Sequence, residues 1–317
     1  MQTTAVQPAI RPGKKITWRQ DFRKNWLVYL IMLPALVYLV IFQYLPMFGI
    51  VMAFEDFSVA KGYFGSDWIW FENFIELFTS EEFPRALRNT LVMGALNLTI
   101  GFVMPILFAF LLSMLNNRRF KRTIQTCSYI PNFLSAVVVC SLATQFLDRD
   151  GALTELLTAV VFKQQNWLAN GDIPVFWIIN TFMNVWTGIG WGSIVYVASI
   201  ATISGELHEA AAIDGATRFQ RMTKITLPCI MPMIVMMLTL QVGISFVAGF
   251  DKVLLLYKPI TYETADCLST YTYRLAFGTS QNYGLSSASG LFQSVVATTL
   301  LILSNYLNRK VSGSALF

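Results

Sequence analysis

Charge is what this chain has least of. Only 13% of its 317 residues are Asp, Glu, Lys or Arg, against 55% hydrophobic and 14% aromatic, and the mean hydropathy is +0.54. That balance excludes an ordinary soluble domain and belongs to a multi-span membrane protein. Histidine is scarcer still. His208 is the single one, and the His-Glu step at 208–209, which opens like a zinc-protease motif, has Ala212 where the second histidine belongs. A lone exposed histidine is the simpler reading. Cys127, Cys140, Cys229 and Cys267 lack paired metal spacing, and the first three fall in or near apolar segments, where a thiol acts as a small hydrophobe. No metal site and no disulfide are assigned. No GxxxxGK[ST] loop is present, so this chain does not cradle ATP in that way. No nucleophile, base and oxyanion donor stand together, so no catalytic residue is assigned. Asn97-Leu98-Thr99 fits a glycosylation acceptor but lies inside an apolar run, out of reach of that chemistry.

What is present is apolar length. A bilayer core takes ~20 apolar residues per helical span. The sequence offers six such runs, at 26–53, 89–115, 124–147, 175–203, 227–249 and 286–307, none with Lys or Arg in its middle. They are continuous rather than alternating, which favours helices over the strands of a membrane barrel. The expected fold is therefore all-α with six transmembrane helices: a basic segment 1–25, a six-helix domain 26–307 and a tail 308–317. The first run is read as a retained helix rather than a signal peptide, since about 25 polar residues precede it. The segments 1–25, 116–123, 204–226 and the C-terminus hold 15 of the 23 basic residues and four of the 18 acids. That asymmetry predicts cytoplasmic N- and C-termini and accounts for the net charge of +5 through anionic lipid; it gives no separate support for nucleic acid.

The cytoplasmic loop 204–226 has a pattern of its own. Residues 206–213 are good helix formers after Ser204-Gly205, Asp214-Gly215 breaks the helix, and a second short helix is expected at 216–224 before Pro228 and Pro232. Ala210, Ala211 and Ala212 would give it a smooth side that another backbone can approach, with Glu209 and Arg218 at the rim. Composition alone leaves a connector resting on lipid equally open.

The order of residues narrows this. Glu209-Ala210-Ala211, then Asp214-Gly215-Ala216, Phe219, Ile225, Pro228 and Pro232, resembles the EAA loop of permease subunits in type I ATP-binding-cassette importers, and it sits before the second-last span, as in that family. NWLVYLIMLPALVYLVIFQYLPMFGIVMAFEDFS, FKRTIQTCSYIPNFLS and YETADCLSTYTYRLAF resemble its carbohydrate-uptake branch, closest to permeases for oligosaccharides released from polysaccharides. The resemblance implies a bacterial cell-membrane subunit without catalysis of its own. Its implied partners are a second related permease, two ATPase subunits that bind ATP and Mg, and an extracytoplasmic solute-binding protein. It also implies a coupling role for Glu209, Ala210, Ala211, Asp214, Gly215, Ala216 and Arg218.

A sugar path calls for amides, hydroxyls and aromatic rings. The fourth run places Trp177, Asn180, Asn184, Gly188 and Trp191 at spacings of three or four, on one helical face, and the fifth adds Gln241 and Ser245. These seven are the expected path; hydrogen bonding at a helix seam is the competing use of the same residues. The segment WIWFENFIELF at 68–78 is read as an amphipathic element at the outer interface or facing the binding protein. Asp251 and Lys252, at the outer end of the fifth run, are read as solvated loop charges, with contact to the binding protein or gating of the outer mouth as the competing reading. A secondary carrier is disfavoured because no span carries an unpaired acid, and an enzyme on lipid-linked sugar because no acid-base or metal set is visible.

Overall fold

The computed structural model of the protein describes residues 18–160, 167–168, 175–246, 249–279 and 281–312. Most of the N-terminal basic segment and the last residues of the tail lie outside that range. The chain forms two compact units, Met1–Val51 and Met52–Phe317.

In the first unit, α1 (Trp18–Lys24) is tied to α2 (Trp26–Leu39) by Asp21, whose carboxylate accepts from the Asn25 amide at 2.8 Å and the Tyr29 hydroxyl at 2.7 Å. A π turn at Val40–Tyr44 and a 3-10 stretch from Leu45 continue the helix. None of the α2 residues is buried. A helix that is apolar on every side is suited to lipid.

The second unit opens with a short antiparallel pair, β1 (Glu55–Asp56) with β2 (Asp67–Trp68), Glu55 opposite Trp68. Next come α3 (Glu72–Thr79) and α4 (Glu82–Leu96), which passes through a π turn at Asn97–Gly101 into α5 (Phe102–Met114). This 33-residue helix, Glu82–Met114, is long and apolar enough to cross a membrane and contains all but the last residue of the second expected run. Its π turn precedes Pro105, as the one at Met222–Thr226 precedes Pro228. A proline lacks the N–H that would bond four residues back and its ring crowds that carbonyl. A wider turn just before it relieves both.

The third expected span is broken. The helix α6 (Arg118–Tyr129) ends in a 3-10 turn at Ile130–Phe133, and α7 (Ala136–Leu147) leaves at 99° to it. Pro131 enters the turn, Leu134 is extended, and Ser135 caps α7 by accepting from the Val138 N–H at 3.3 Å. Residues 124–147 are thus two helices rather than one straight crossing. After α8 (Ala152–Val160), α9 (Val175–Ala201) runs 27 residues and bends by 72° into α10 (Gly205–Ile213). The next helix starts earlier than its apolar run. From α11 (Arg218–Arg221) it passes through the Met222–Thr226 π turn into α12 (Leu227–Ser245), so the expected short helix 216–224 is the opening of the fifth span. Then follow α13 (Phe250–Leu256), α14 (Tyr262–Ala265), α15 (Leu268–Phe277) and α16 (Tyr283–Ser312). Among the described residues, four helices are long and apolar enough to cross a membrane, and six if each bent pair counts as one.

The core is made by α5 against α9 and α12 against α16, with small residues at the seams. A Cβ on Gly192 of α9 would meet the Pro105 ring of α5 at 3.2 Å, and one on Gly243 of α12 would sit 2.5 Å from the Leu301 side chain of α16. Close helix approach of this kind is what holds membrane helices together where lipid is as apolar as the side chains.

At the end of α9 away from α10, a polar cluster fastens α14 and α15 to α4. Asp266, fully buried, accepts from Arg274 Nη1 at 3.0 Å and Nη2 at 2.7 Å, and Arg85 stands 3.8 Å away. Arg274 also reaches Glu82 at 2.9 Å, and the Asn89 amide donates to the carbonyls of Glu263 and Asp266. Burial works against the Arg274 charge, but hydrogen bonds and charge from Asp266 and Glu82 outweigh it and hold its pKa above the ordinary arginine value. Removing one partner of a buried pair leaves the other charge uncompensated, which costs about 3–5 kcal/mol. Asp266→Ala is therefore expected to lower the thermal denaturation midpoint of the purified protein clearly, and an unchanged midpoint would show the cluster to be dispensable.

Candidate functional site

The first candidate site is the turn after α10. Ser204 caps this helix, its hydroxyl accepting from the Glu206 N–H at 3.3 Å. The helix ends where Gly215 takes φ +79°, a left-handed conformation that a side chain resists. The Gly215 N–H donates to Ala212 at 3.1 Å and the Ala216 N–H to Ala211 at 2.9 Å, which together close the last turn. Thr217 then starts α11 with a reciprocal cap: the Gln220 N–H donates to the Thr217 hydroxyl at 3.3 Å, and the Thr217 N–H to the Gln220 side chain at 2.8 Å. Two caps back to back set the angle between α10 and α11.

What this turn displays is apolar as well as charged. Glu209, Ala210, Asp214, Gly215 and Arg218 are exposed, while Ala211 and Ala216 are half-buried. Ile213 is 87% exposed and Phe219 64%. His208 is half-buried rather than exposed, and its carbonyl accepts from Arg221 at 3.4 Å. His208, Arg218 and Arg221 line a groove of about 300 Å³ beside the turn.

The second candidate is a cavity of about 490 Å³ between α5, α9 and α12. Of the seven expected path residues, Asn184, Gly188, Trp191 and Gln241 line it; Trp177, Asn180 and Ser245 do not. Those three are packing residues. The Trp177 indole donates to the Thr264 carbonyl at 2.7 Å, the Asn180 amide is buried against Met93 Sδ, and the buried Ser245 hydroxyl returns to the Gln241 carbonyl at 2.7 Å. Trp177 and Asn180 lie further along α9, where α14 and α4 cover them.

The structure adds residues that the sequence reading passed over. Asn97, in the π turn between α4 and α5, lines the cavity with Phe102 and Tyr196. Its signal was an amide at membrane depth, an expensive placement without a purpose. Lys252 was read as a loop charge. It lies instead on α13, part-buried, with Nζ donating to Asn184 Oδ1 at 2.8 Å and to the Thr187 hydroxyl at 2.9 Å. Asp251 beside it is exposed, as expected. Among the described residues no cluster of His, Cys, Asp and Glu is arranged to hold a metal. The 68–78 segment forms an aromatic group in which Phe54 stacks on Trp68 at 5.9 Å and meets Phe71 and Phe74, with Trp70 and Ile75 outward.

A bent helical membrane unit with a capped, exposed turn and an amide-lined cavity defines a transport permease. The chain belongs to the family of binding-protein-dependent transport system inner membrane components, which matches residues 101–313. It is 36% identical over 98% of its length to protein LplB of Bacillus subtilis, covering 97% of that protein. It is 37% identical, over the whole of both chains, to the polygalacturonan/rhamnogalacturonan transport system permease protein YteP of the same organism. Among solved structures it is similar to a chain of a bacterial alginate ABC transporter, crystallised in complex with an alginate pentasaccharide-bound periplasmic protein. There the TM-score is 0.85 and the identity 37%, with 94% of this chain and 99% of that one covered. The resemblance drawn from the residues of 209–232 holds: this is the permease subunit of a binding-protein-dependent ABC importer.

Proposed function

We propose that this permease imports oligosaccharides by alternating access, as one of two related permease chains joined to two ATPase subunits. The 490 Å³ cavity carries the reading: amides from Asn97, Asn184 and Gln241 face aromatic rings from Trp191, Phe102 and Tyr196, the mix that sugar hydroxyls and ring faces require. The relatives for polygalacturonan, rhamnogalacturonan and alginate support a fragment of a polysaccharide as cargo. Both termini and the α10–α11 turn are placed in the cytoplasm, following the bias of Lys and Arg. The turn, with Glu209, Ala210, Ala211, Asp214, Gly215, Ala216 and Arg218, docks on an ATPase subunit, and Ile213 and Phe219 supply apolar contact. ATP and Mg bind there, not in this chain. Nucleotide drives transport only to the extent that it favours one conformation over the other, so each grip must be transmitted to the cavity. An extracytoplasmic binding protein delivers sugar when the cavity faces outward.

The test is ATP-dependent uptake in proteoliposomes that hold the whole complex with its binding protein. Uptake is expected only with ATP inside and the ATPase subunits present. Undiminished uptake without the ATPase would make the protein a secondary carrier and end the proposal.

A further inference from the structure

Among the described residues, Lys252 is an amine with no counter-charge. Its Nζ is held by two neutral oxygens, Asn184 Oδ1 and Thr187 Oγ1, and among the described residues no carboxylate lies within ion-pair distance. The adjacent Asp251 is solvent-exposed, and the neighbour on α7, Cys140, is a thiol that meets only the Lys252 backbone carbonyl. An ammonium has donors and no acceptor, so it turns the Asn184 oxygen toward itself and the Asn184 NH₂ away. That NH₂ lies 3.4 Å from Asn97 Oδ1, which leaves the Asn97 NH₂ without a partner among the described residues. The Gln241 side-chain amide, likewise on the cavity wall, has none either. The wall thus offers the Asn97 NH₂ and the Gln241 amide, a positive charge stands one amide behind it, and no Asp or Glu lines the cavity to cancel that charge. A part-buried ammonium without an anion is costly, and the cost is recovered when an anion arrives.

We propose that Lys252, acting through Asn184 and Asn97, sets this cavity to select sugars that carry carboxylates, so that the cargo is an acidic, uronate-containing oligosaccharide. The inference rests on the oligosaccharide reading above and adds the charge. Lys252 positions the wall and supplies the field; Asn97, Asn184 and Gln241 touch the sugar. A neutral sugar would gain the same hydroxyl contacts but leave the ammonium unpaired.

The experiment uses the complete transporter in proteoliposomes and two probes, trigalacturonate and its methyl ester, each loaded to saturation on the binding protein so that delivery is matched. Initial ATP-dependent uptake rates give a ratio of acid to ester. The wild type is expected to favour the acid, and Lys252→Arg to keep that ratio. Lys252→Gln is expected to lower it by about tenfold, the order of a charge–charge attraction acting across one amide at an effective dielectric of about 20. Asn184→Asp places a carboxylate against the same amine with little change of shape and is expected to lower the ratio likewise, whether or not Lys252→Gln assembles. If the ratio in Asn184→Asp stays at the wild-type value, or the variants depress both probes equally, Lys252 is a packing group and the inference falls. Equal uptake of both probes by the wild type overturns it too, while leaving the oligosaccharide reading standing. If the wild type takes up neither probe and neither raises ATP hydrolysis, the oligosaccharide reading itself has failed.

Discussion

Gly215→Pro is expected to abolish ATP-dependent uptake while the protein still inserts and meets its partners. The substitution fails twice at one atom set. Proline holds φ near −65°, whereas Gly215 sits at +79°, and it has no N–H to give the Ala212 carbonyl. The chain reversal between α10 and α11 is lost with its cap, and the angle that presents Glu209, Ile213 and Phe219 goes with it. Nothing lies within 4 Å of a Cβ at Gly215, so the defect is one of backbone conformation and not of crowding. Gly215→Asn supplies the control, since asparagine tolerates the left-handed region better than other side chains. It is expected to retain most uptake. Glu209→Lys, with the backbone intact, is expected to lose uptake by reversing charge at the proposed docking face. Near-normal sugar-stimulated ATP hydrolysis in Gly215→Pro would mean that the turn does not couple.

Gly190→Val is expected to leave almost no stable protein in the membrane. The missing Cβ of Gly190 would stand 2.2 Å from the Ser128 carbonyl oxygen and 2.4 Å from its carbon, and backbone atoms cannot swing aside as a side chain does. The helices α6 and α9 must separate to admit it, at a cost above the ~1–3 kcal/mol of ordinary overpacking. Gly188, two residues earlier on α9, meets nothing within 4 Å and borders the cavity. Gly188→Ala is therefore expected to reach normal levels in the membrane. Comparable detergent-stable yields of the two variants would show that the α6–α9 contact does not hold the fold.

These contrasts mark where sequence reading succeeds and where it stops. The α10 helix and the Asp214-Gly215 break were legible because helix propensity and glycine's freedom are local properties, and the observed helix differs from the expected one by a single residue. Apolar length located the spans, but it is blind to direction: the 99° bend after Pro131 lies inside one continuous apolar run. Helical spacing put Trp177, Asn180, Asn184, Gly188 and Trp191 on one face, and that face exists. Spacing has no knowledge of what covers each turn, so it did not separate Asn184 and Trp191 from Trp177 and Asn180. Lys252 was invisible for a different reason. Its partners, Asn184 and Thr187, lie more than sixty positions away, and only the fold of α13 back onto α9 brings them together.

The unbroken run from Arg218 to Ser245 has a mechanical consequence. Twenty-three residues separate Arg218, at the rim of the capped turn, from Gln241 on the cavity wall, a distance of ~35 Å along the helix at 1.5 Å per residue. Over such an arm a tilt of only about 5° displaces one end by ~3 Å relative to the other, roughly the width of a hydroxyl contact. Because no loop interrupts it, the points along the way that can absorb that displacement are the π turn at Met222–Thr226 and Pro232 inside α12. The stroke needed to trade one set of sugar contacts for another is therefore small, and the stiffness of one helix, more than the strength of any one bond, determines how much of a push at the turn arrives at the cargo.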